Sequence, residues 1–303
     1  GAIWLSPVYD SPNRDMGYDI RDYKRILREY GTMQDFDLLL EEMHKRGLRL
    51  VMDMVVNHTS DEHPWFLASR SSRNSPYRDY YYWRPGKGDN PPNNWSSFFT
   101  PCAWKYDTIT KEWYLHCFGE NQPDLNWENP AVREEIYRMI NWWLDRGVDG
   151  IRIDVVSLFA KNIDFPNATL RTSNYDGYVF PIEHIAFQPK LPGYLRELNA
   201  RCLAGKDRVS IGEATFVTTG NANTIVGEDM LDMVFQFELM ELGNGEEKWE
   251  PHPYDIAAFK KTVCAWQRAL DWNALFWGNH DQPRAVSRFQ CETPELRARC
   301  AKM

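Results

Sequence analysis

The stretch from Val148 to Val156, Val-Asp-Gly-Ile-Arg-Ile-Asp-Val-Val, constrains the fold more than any other part of the chain. Its alternation predicts a strand over Gly150 to Val156, and residues two apart in a strand share a face. Arg152 and Asp154 therefore lie on one surface, while Ile151, Ile153 and Val155 take the other. A cation and a carboxylate on a buried strand read either as a structural ion pair or as part of a reactive site. Three more apolar runs end in the same kind of chemistry. Leu48 to His58 closes on Asp53, Asn57 and His58, Val209 to Ala214 on Glu213, and Ala274 to Arg284 on Asn279, His280, Asp281 and Arg284. In an α/β barrel the strand ends and the loops after them converge on one face, so residues distant in sequence meet at one site.

The intervening segments support that architecture. Ile3 to Val8 predicts a strand, followed by a loop, Tyr9 to Asp22, rich in Asp, Pro, Asn and Gly. Leu38, Leu39, Leu40 and Met43 give a helical period that Gly47 stops, and the strand Leu48 to Val56 follows at once, a βαβ unit. Pro130 opens a second helix through Val132, Ile136, Met139, Ile140, Trp143 and Leu144, stopped at Gly147 before the strand that carries Asp154. Leu191 to Ala204, Tyr254 to Leu270 and Thr293 to Met303 repeat the helical pattern, and further strands are expected at Val209 to Gly212, Met233 to Phe237 and Ala274 to Trp277. That makes six strands where a closed (β/α)8 TIM-type barrel has eight.

From Asn57 to Trp127 the periodicity gives way to aromatic residues interspersed with Pro, Gly and Asn, among them Trp65, Tyr80 to Trp83, Trp95, Phe98, Phe99, Trp104, Trp113 and Phe118. A connection this long inside a compact domain is usually functional, and aromatic faces suit the C–H faces of sugars, although most of these rings are expected to pack the insert's own core. The organisation expected is a barrel part over 1–57, an inserted domain over 58–128 and a second barrel part over 129–303.

Composition removes several classes of function. A formal charge of -8 disfavours nucleic acid and anionic membranes, which demand clustered Lys and Arg. No apolar run approaches the roughly 20 residues of a membrane span, and a mean hydropathy of -0.59 agrees. The six cysteines show no zinc spacing and read as reduced thiols, which suits a cytoplasmic protein, while their even number leaves disulfides open. Gly1-Ala-Ile-Trp-Leu-Ser reads as the middle of a buried strand, so the chain is expected to be cut from a longer one.

The segments Asp53-Met-Val-Val-Asn-His58, Gly150-Ile-Arg-Ile-Asp154, Gly212-Glu213 and Asn279-His-Asp-Gln282 resemble, in order and spacing, the four signature regions of the α-amylase superfamily of glycoside hydrolases. Gln122-Pro-Asp-Leu-Asn126 is similar to a fifth motif in the form carried by the oligo-1,6-glucosidase branch. The likeness implies that the chain spans the second to seventh barrel strands around an inserted domain B and lacks a carboxy-terminal sandwich. Such an open fragment leaves sheet edges unpaired and is expected to be unstable and inactive alone.

The resemblance also implies roles. Asp154 is the nucleophile, held ionised and aimed by Arg152; Glu213 is the acid and later the base; Asp281 holds substrate hydroxyls. His58 and His280 hydrogen-bond the same sugar, Phe99 and Phe118 line its pocket, and Asp53 supports its neighbours. In Asp15-Met-Gly-Tyr18 the Asp binds the far hydroxyls of the terminal glucose while the Tyr stacks beneath it, closing the pocket, so the activity implied is exo-acting on short, neutral oligosaccharides by a protein that is monomeric when complete. Val155 matches the α-1,6-preferring members and shapes the second sugar's site, whereas Gly212-Glu-Ala-Thr215 departs from their pattern after the acid. Trehalose-6-phosphate hydrolases and sucrose-isomerising enzymes share this framework, and the glucosidase-like ectodomains of transporter heavy chains, which lose the carboxylates, are the non-catalytic alternative. No cofactor is implied. Asn57 matches a calcium-binding position of some relatives, but the branch resembled here places its structural calcium in an amino-terminal loop outside this chain.

Overall fold

Five strands, β1 (Ala2–Leu5), β2 (Arg49–Met54), β3 (Gly150–Ile153), β4 (Val209–Glu213) and β5 (Met233–Phe235), lie side by side in chain order in a computed structural model, all of them parallel. The structure describes residues 1–170, 177–245, 250, 253, 255–289 and 293–302. Tyr254 and Met303, expected at helix ends, lie outside the described residues, as do Cys291 and the side chain of Cys300.

Helices cross between these strands, and their ends follow from local chemistry. In α1 (Met33–Lys45), Thr32 and Asp35 form a reciprocal capping box, Phe36, Leu40 and Met43 face the core, and Gly47 beyond the end has a φ of 67°. Asn129 caps α2 (Pro130–Asp145) by accepting from the Ala131 N–H, Pro130 occupies the first turn where its missing donor costs nothing, and Ile136, Ile140 and Trp143 are buried. α3 (Leu191–Leu198) runs into a wider π-type turn over Asn199–Leu203, and α4 (Ile256–Ala269) starts from an Asp255 cap. Trp143 ties the layers together: its indole N–H donates to the Tyr23 carbonyl at 3.0 Å and its ring meets Tyr9 and Phe36 edge-on.

Two strand expectations need correction. Residues 274–277 form no strand. Phe276 packs on Phe235 with ring centroids 4.9 Å apart, yet Leu275 is 53% exposed, so the run lacks the burial on both faces that holds a barrel strand. The strand around Asp154 stops at Ile153 rather than Val156, because Val155 adopts a left-handed conformation, φ 37° and ψ 44°, that leaves the ladder. β1, β2 and β5 also end earlier than the apolar runs that predict them.

Between β2 and α2 the chain forms a helix over Pro64–Ser71 and an antiparallel sheet in which Glu112–Leu115 pairs with both Trp83–Arg84 and Trp104–Asp107. Its rings serve two cores. Tyr80, Tyr81, Trp83, Tyr114 and Trp127 belong to the main core, whereas Tyr82, Trp95, Trp104 and Phe118 form a second one with Val155, Leu158, Phe165 and Ile185 from the loop after β3. Side-chain donors tie that second core to the loop, the Trp95 indole N–H donating to the Pro166 carbonyl at 2.7 Å and the Asn93 amide to that of Phe165 at 3.1 Å. Among the described residues no helix is long and apolar enough to cross a membrane.

β3 and β4 approach closely at Gly150, since a Cβ there would come within 2.5 Å of a Val209 methyl and 2.7 Å of its carbonyl oxygen. Gly150→Ala is expected to destabilise the protein by about 1–3 kcal/mol through this overpacking, read as a lowered urea midpoint; an unchanged midpoint would mean that the two strands separate freely.

Candidate active site

Arg152 sits at the centre of a buried charge cluster assembled by strand register. Asp53 on β2 is the lateral partner of Arg152 on β3, and Gly212, one residue before Glu213 on β4, is the partner of Ile153. The guanidinium Nη1 donates to both Asp53 oxygens at 2.8 and 3.0 Å and to Asp154 Oδ1 at 2.6 Å, and Nη2 lies 2.8 Å from Glu213 Oε2. All four side chains are buried. The rings of Trp4, Phe235 and Tyr18 surround the guanidinium, with centroids 5.2, 5.6 and 5.8 Å away.

Three carboxyls sharing one cation cannot all ionise easily. Burial pushes Asp53 and Asp154 up to about 6 and Glu213 up to about 7, against the pull of Arg152. Arg152 pulls Asp154 towards its ionised form, the direction expected of it, while burial pulls more strongly the other way. Burial also works against the Arg152 charge, yet Asp53, Glu213 and Asp154 together outweigh it and hold the guanidinium protonated. The neighbouring Asp154 carboxyl raises Glu213 further, and Glu213 accepts the Val155 N–H at 3.0 Å. That last bond depends on the left-handed turn at Val155, a conformation unusual for a β-branched residue. It also corrects the expectation that the Val155 side chain alternates away from Asp154 as in a strand, since the residue has left the strand and lines the cleft beside it.

A cleft of about 1390 Å³ opens over this cluster. Of the residues expected at the site, Asp154, Glu213, Asp281, Asp15, Tyr18, His58, Phe99, Phe118, Val155 and His280 all line it, and Arg152 alone lies behind the wall. Their settings differ. Tyr18 donates to Asp53 Oδ2 at 2.9 Å and stacks on His280 at 5.1 Å, so its ring bridges two loops. His58 is fully engaged: Asn57 donates to Nδ1 at 3.2 Å, the partners select the tautomer whose Nε2–H donates to the Tyr18 carbonyl at 3.1 Å, and burial lowers its pKa. Asp281 lies on the irregular segment that replaces the expected sixth strand, half exposed and 3.5 Å from His280 Nε2. Phe99 is 56% exposed at the rim and meets Phe118 edge-on.

Several lining or supporting residues escaped the sequence reading. Phe98 stacks on Phe118 at 4.8 Å and carries the aromatic wall on to Phe180 and Phe216, and Glu238 and Glu241 line the far side. Gln122 donates to Asp15 Oδ2 at 2.6 Å. Gln122 and Phe98 had sequence signals, the one as the first residue of the Gln-Pro-Asp-Leu-Asn motif and the other among the insert's aromatic residues, and nothing in their own segments marks the rest.

Asn57 does not fit as a calcium ligand. Its Oδ1 accepts from Lys161 Nζ at 3.1 Å, and the same buried ammonium lies 2.8 Å from Asp124 and donates to the Leu158 carbonyl at 2.8 Å, so the protein supplies its own cation there. Among the described residues no group of three or more His, Cys, Asp or Glu could hold a metal ion, and Cys102, Cys117, Cys202 and Cys264 are free thiols.

A family model described as the alpha-amylase catalytic domain matches residues 1–303. The chain is 50% identical over 294 residues to an oligo-1,6-glucosidase of Bacillus cereus, covering 95% of this chain and 52% of that protein. It is 46% identical over 310 residues to an alpha-glucosidase of Pediococcus pentosaceus, covering 100% and 55%. Among solved structures, a Bacillus licheniformis trehalose-6-phosphate hydrolase superposes with a TM-score of 0.87 at 41% identity, over 95% of this chain and 52% of that one. A trehalulose synthase variant does so with a TM-score of 0.88 at 41% identity over 97% and 53%, in a crystal that contains the substrate sucrose. The chain spans about half the length of the curated relatives it matches.

The cluster has a consequence for stability. Asp53, Asp154 and Glu213 are protonated more easily in the fold than in the unfolded chain, where carboxyls titrate near 4. Between there and their raised folded values the native state binds more protons, so their contribution to stability is present at low pH and lost as pH rises through about 6 to 7. Glu213→Gln is expected to flatten that loss, read as a smaller difference between urea midpoints at about pH 5 and about pH 7.5. An equal difference in wild type and variant would show that Glu213 titrates at its ordinary value.

Proposed function

Since this chain belongs to the α-amylase family, we propose that the complete protein is a retaining, exo-acting α-glucosidase. It hydrolyses the non-reducing-end α-glucosidic bond of short oligosaccharides, with α-1,6 linkages favoured and α-1,4 linkages accepted. The observation that carries this reading is the pairing of Asp154 with Glu213, two buried carboxyls that lie 2.6 and 2.8 Å from the nitrogens of the same Arg152 and whose pKa values burial raises. Retaining enzymes separate their carboxyls by roughly 5 to 5.5 Å and inverting ones by roughly 6.5 to 9.5 Å. Two carboxyls gripped by the two terminal nitrogens of one guanidinium support the retaining arrangement.

Asp154 attacks the anomeric carbon from beneath the ring and forms the glycosyl–enzyme bond, while Glu213 gives its proton to the departing oxygen. Glu213 then takes a proton from water as that water displaces Asp154, which restores both carboxyls. Asp281 and His280 on the opposite wall hold the sugar hydroxyls; Asp15 and Tyr18 close the pocket behind the glucose, with His58 beneath the Tyr18 carbonyl. Arg152 becomes free to favour the ionised nucleophile once Glu213 carries the proton. Phe99, Phe118 and Val155 face the second sugar, and the resemblance of Val155 to α-1,6-preferring members supports that linkage.

The cleft is acidic, with no Lys or Arg among its described lining residues, so a phosphorylated disaccharide is less well supported than a neutral one. Sucrose isomerisation uses the same first step and differs only in what attacks the intermediate. Retention of Asp154, Glu213 and Asp281 disfavours a non-catalytic binding protein. We place the complete protein in the cytoplasm as a monomer; the free thiols at Cys102, Cys117, Cys202 and Cys264 suit that compartment.

Proton NMR of the first product released from isomaltose by the complete protein is expected to show α-glucose, and β-glucose would exclude a covalent intermediate on Asp154. Glu213→Gln is expected to lose about 10²- to 10⁴-fold on isomaltose and to recover on aryl glucosides whose leaving group needs no proton. Asp154→Ala is expected to lose both activities, because nothing remains to form the intermediate. Equal losses on both substrates in both variants would mean that the acid is another residue.

A further inference from the structure

The loop that carries Asp15 and Tyr18 is bent through three left-handed residues, Asn13 with φ 58°, Met16 with φ 50° and Gly17 with φ 97°. At Gly17 a Cβ would come within 2.9 Å of the Pro7 carbonyl, so the turn is pressed against the chain leaving β1. Left-handed residues other than glycine persist only where the surroundings over-determine them. Here the determinant is Asp19. Its side chain is fully buried, and its carboxylate accepts the Arg14 N–H at 3.1 Å, the Asp15 N–H at 3.1 Å and the Ser11 hydroxyl at 3.0 Å. The neighbouring guanidinium groups are engaged elsewhere, Arg14 with Asp61 and Glu62, Arg21 with Asp10 and Glu62. Asp19 is thus a buried anion met by loop N–H and O–H groups, an arrangement that costs stability unless those donors are held in place. The Tyr18 N–H closes the turn on the Asp15 carbonyl at 2.8 Å, and Gln122 grips the Asp15 carboxylate from the insert.

We propose that Asp19 is a positioning residue for substrate binding: it fixes the backbone of residues 14 and 15 so that the Asp15 carboxylate and the Tyr18 ring stand at the closed end of the cleft. Asp19 touches no substrate and acts through Asp15. The proposal rests on the reading of Asp15 as the group that holds the terminal glucose, and the test separates the two. In the complete protein Asp19→Ala is expected to lower kcat/KM for isomaltose about 10- to 100-fold, most of it through KM. The Asp15→Ala/Asp19→Ala double variant is expected to be no worse than Asp15→Ala alone, because residues acting as a unit are not additive. Asp19→Asn, which keeps one acceptor oxygen, is expected to fall between wild type and Asp19→Ala, and it carries the test if the alanine variant does not fold. Hydrogen exchange over residues 11–19 is read in parallel, with faster exchange expected in Asp19→Asn. Additive losses, a fall in kcat at unchanged KM, or unchanged exchange would overturn the positioning role. A wild-type protein that leaves isomaltose uncut while exchange quickens as expected would overturn the functional reading and leave the loop device standing.

Discussion

One guanidinium holds three strands to a common purpose. Arg152 reaches Asp53 on β2, Asp154 just past the end of β3 and Glu213 on β4. Removing it would leave up to three buried carboxyls around a void, a loss that costs far more than the net worth of any one of its ion pairs. The reverse dependence is as strong, since the aromatic walls of Trp4, Tyr18 and Phe235 leave the cation no water to fall back on. Proton affinity in the cluster is therefore a property of the group, and a change at one carboxyl is felt at the other two.

The scaffold around this cation works by register and close approach. Parallel pairing places Asp53 beside Arg152 at one level of the sheet, and Gly150 lets β3 and β4 approach closely enough for Glu213 to enter the same shell. The segment between β2 and α2 contributes differently. Its second core includes residues of the loop after β3, so the aromatic wall of the cleft and the turn that follows Asp154 are packed as one body. Lys161 reinforces that seam with a buried ammonium between Asn57, Asp124 and Leu158.

Much of this was legible in the sequence because it rests on period and on short motifs. The two-residue repeat around Arg152, Pro130 at a helix start and the stops at Gly47 and Gly147 declare their elements locally, and polar residues at the ends of apolar runs declare a shared face. What stayed hidden depends on partners far along the chain. Nothing near Ala274 to Trp277 reveals that this apolar run stays out of the sheet, since its burial is decided by neighbours rather than by its own pattern. Phe216 and Glu238 reach the cleft only because the chain after β4 and β5 turns back over it. Charge pairing was visible but its balance was not: Arg152 pulls Asp154 towards its ionised form, and only the depth of burial shows that its pKa nevertheless rises, to about 6.

The left-handed turn at Val155 binds two traits that would otherwise vary independently. The residue lines the cleft, while its N–H stabilises the ionised form of Glu213. A replacement that lets this backbone relax would withdraw the donor as it reshapes the cleft, raising the proton affinity of Glu213. On the function proposed above, drift at this position is therefore pleiotropic: a replacement that changes what is cut also changes the acidity at which it is cut, and compensating substitutions are to be sought around Glu213.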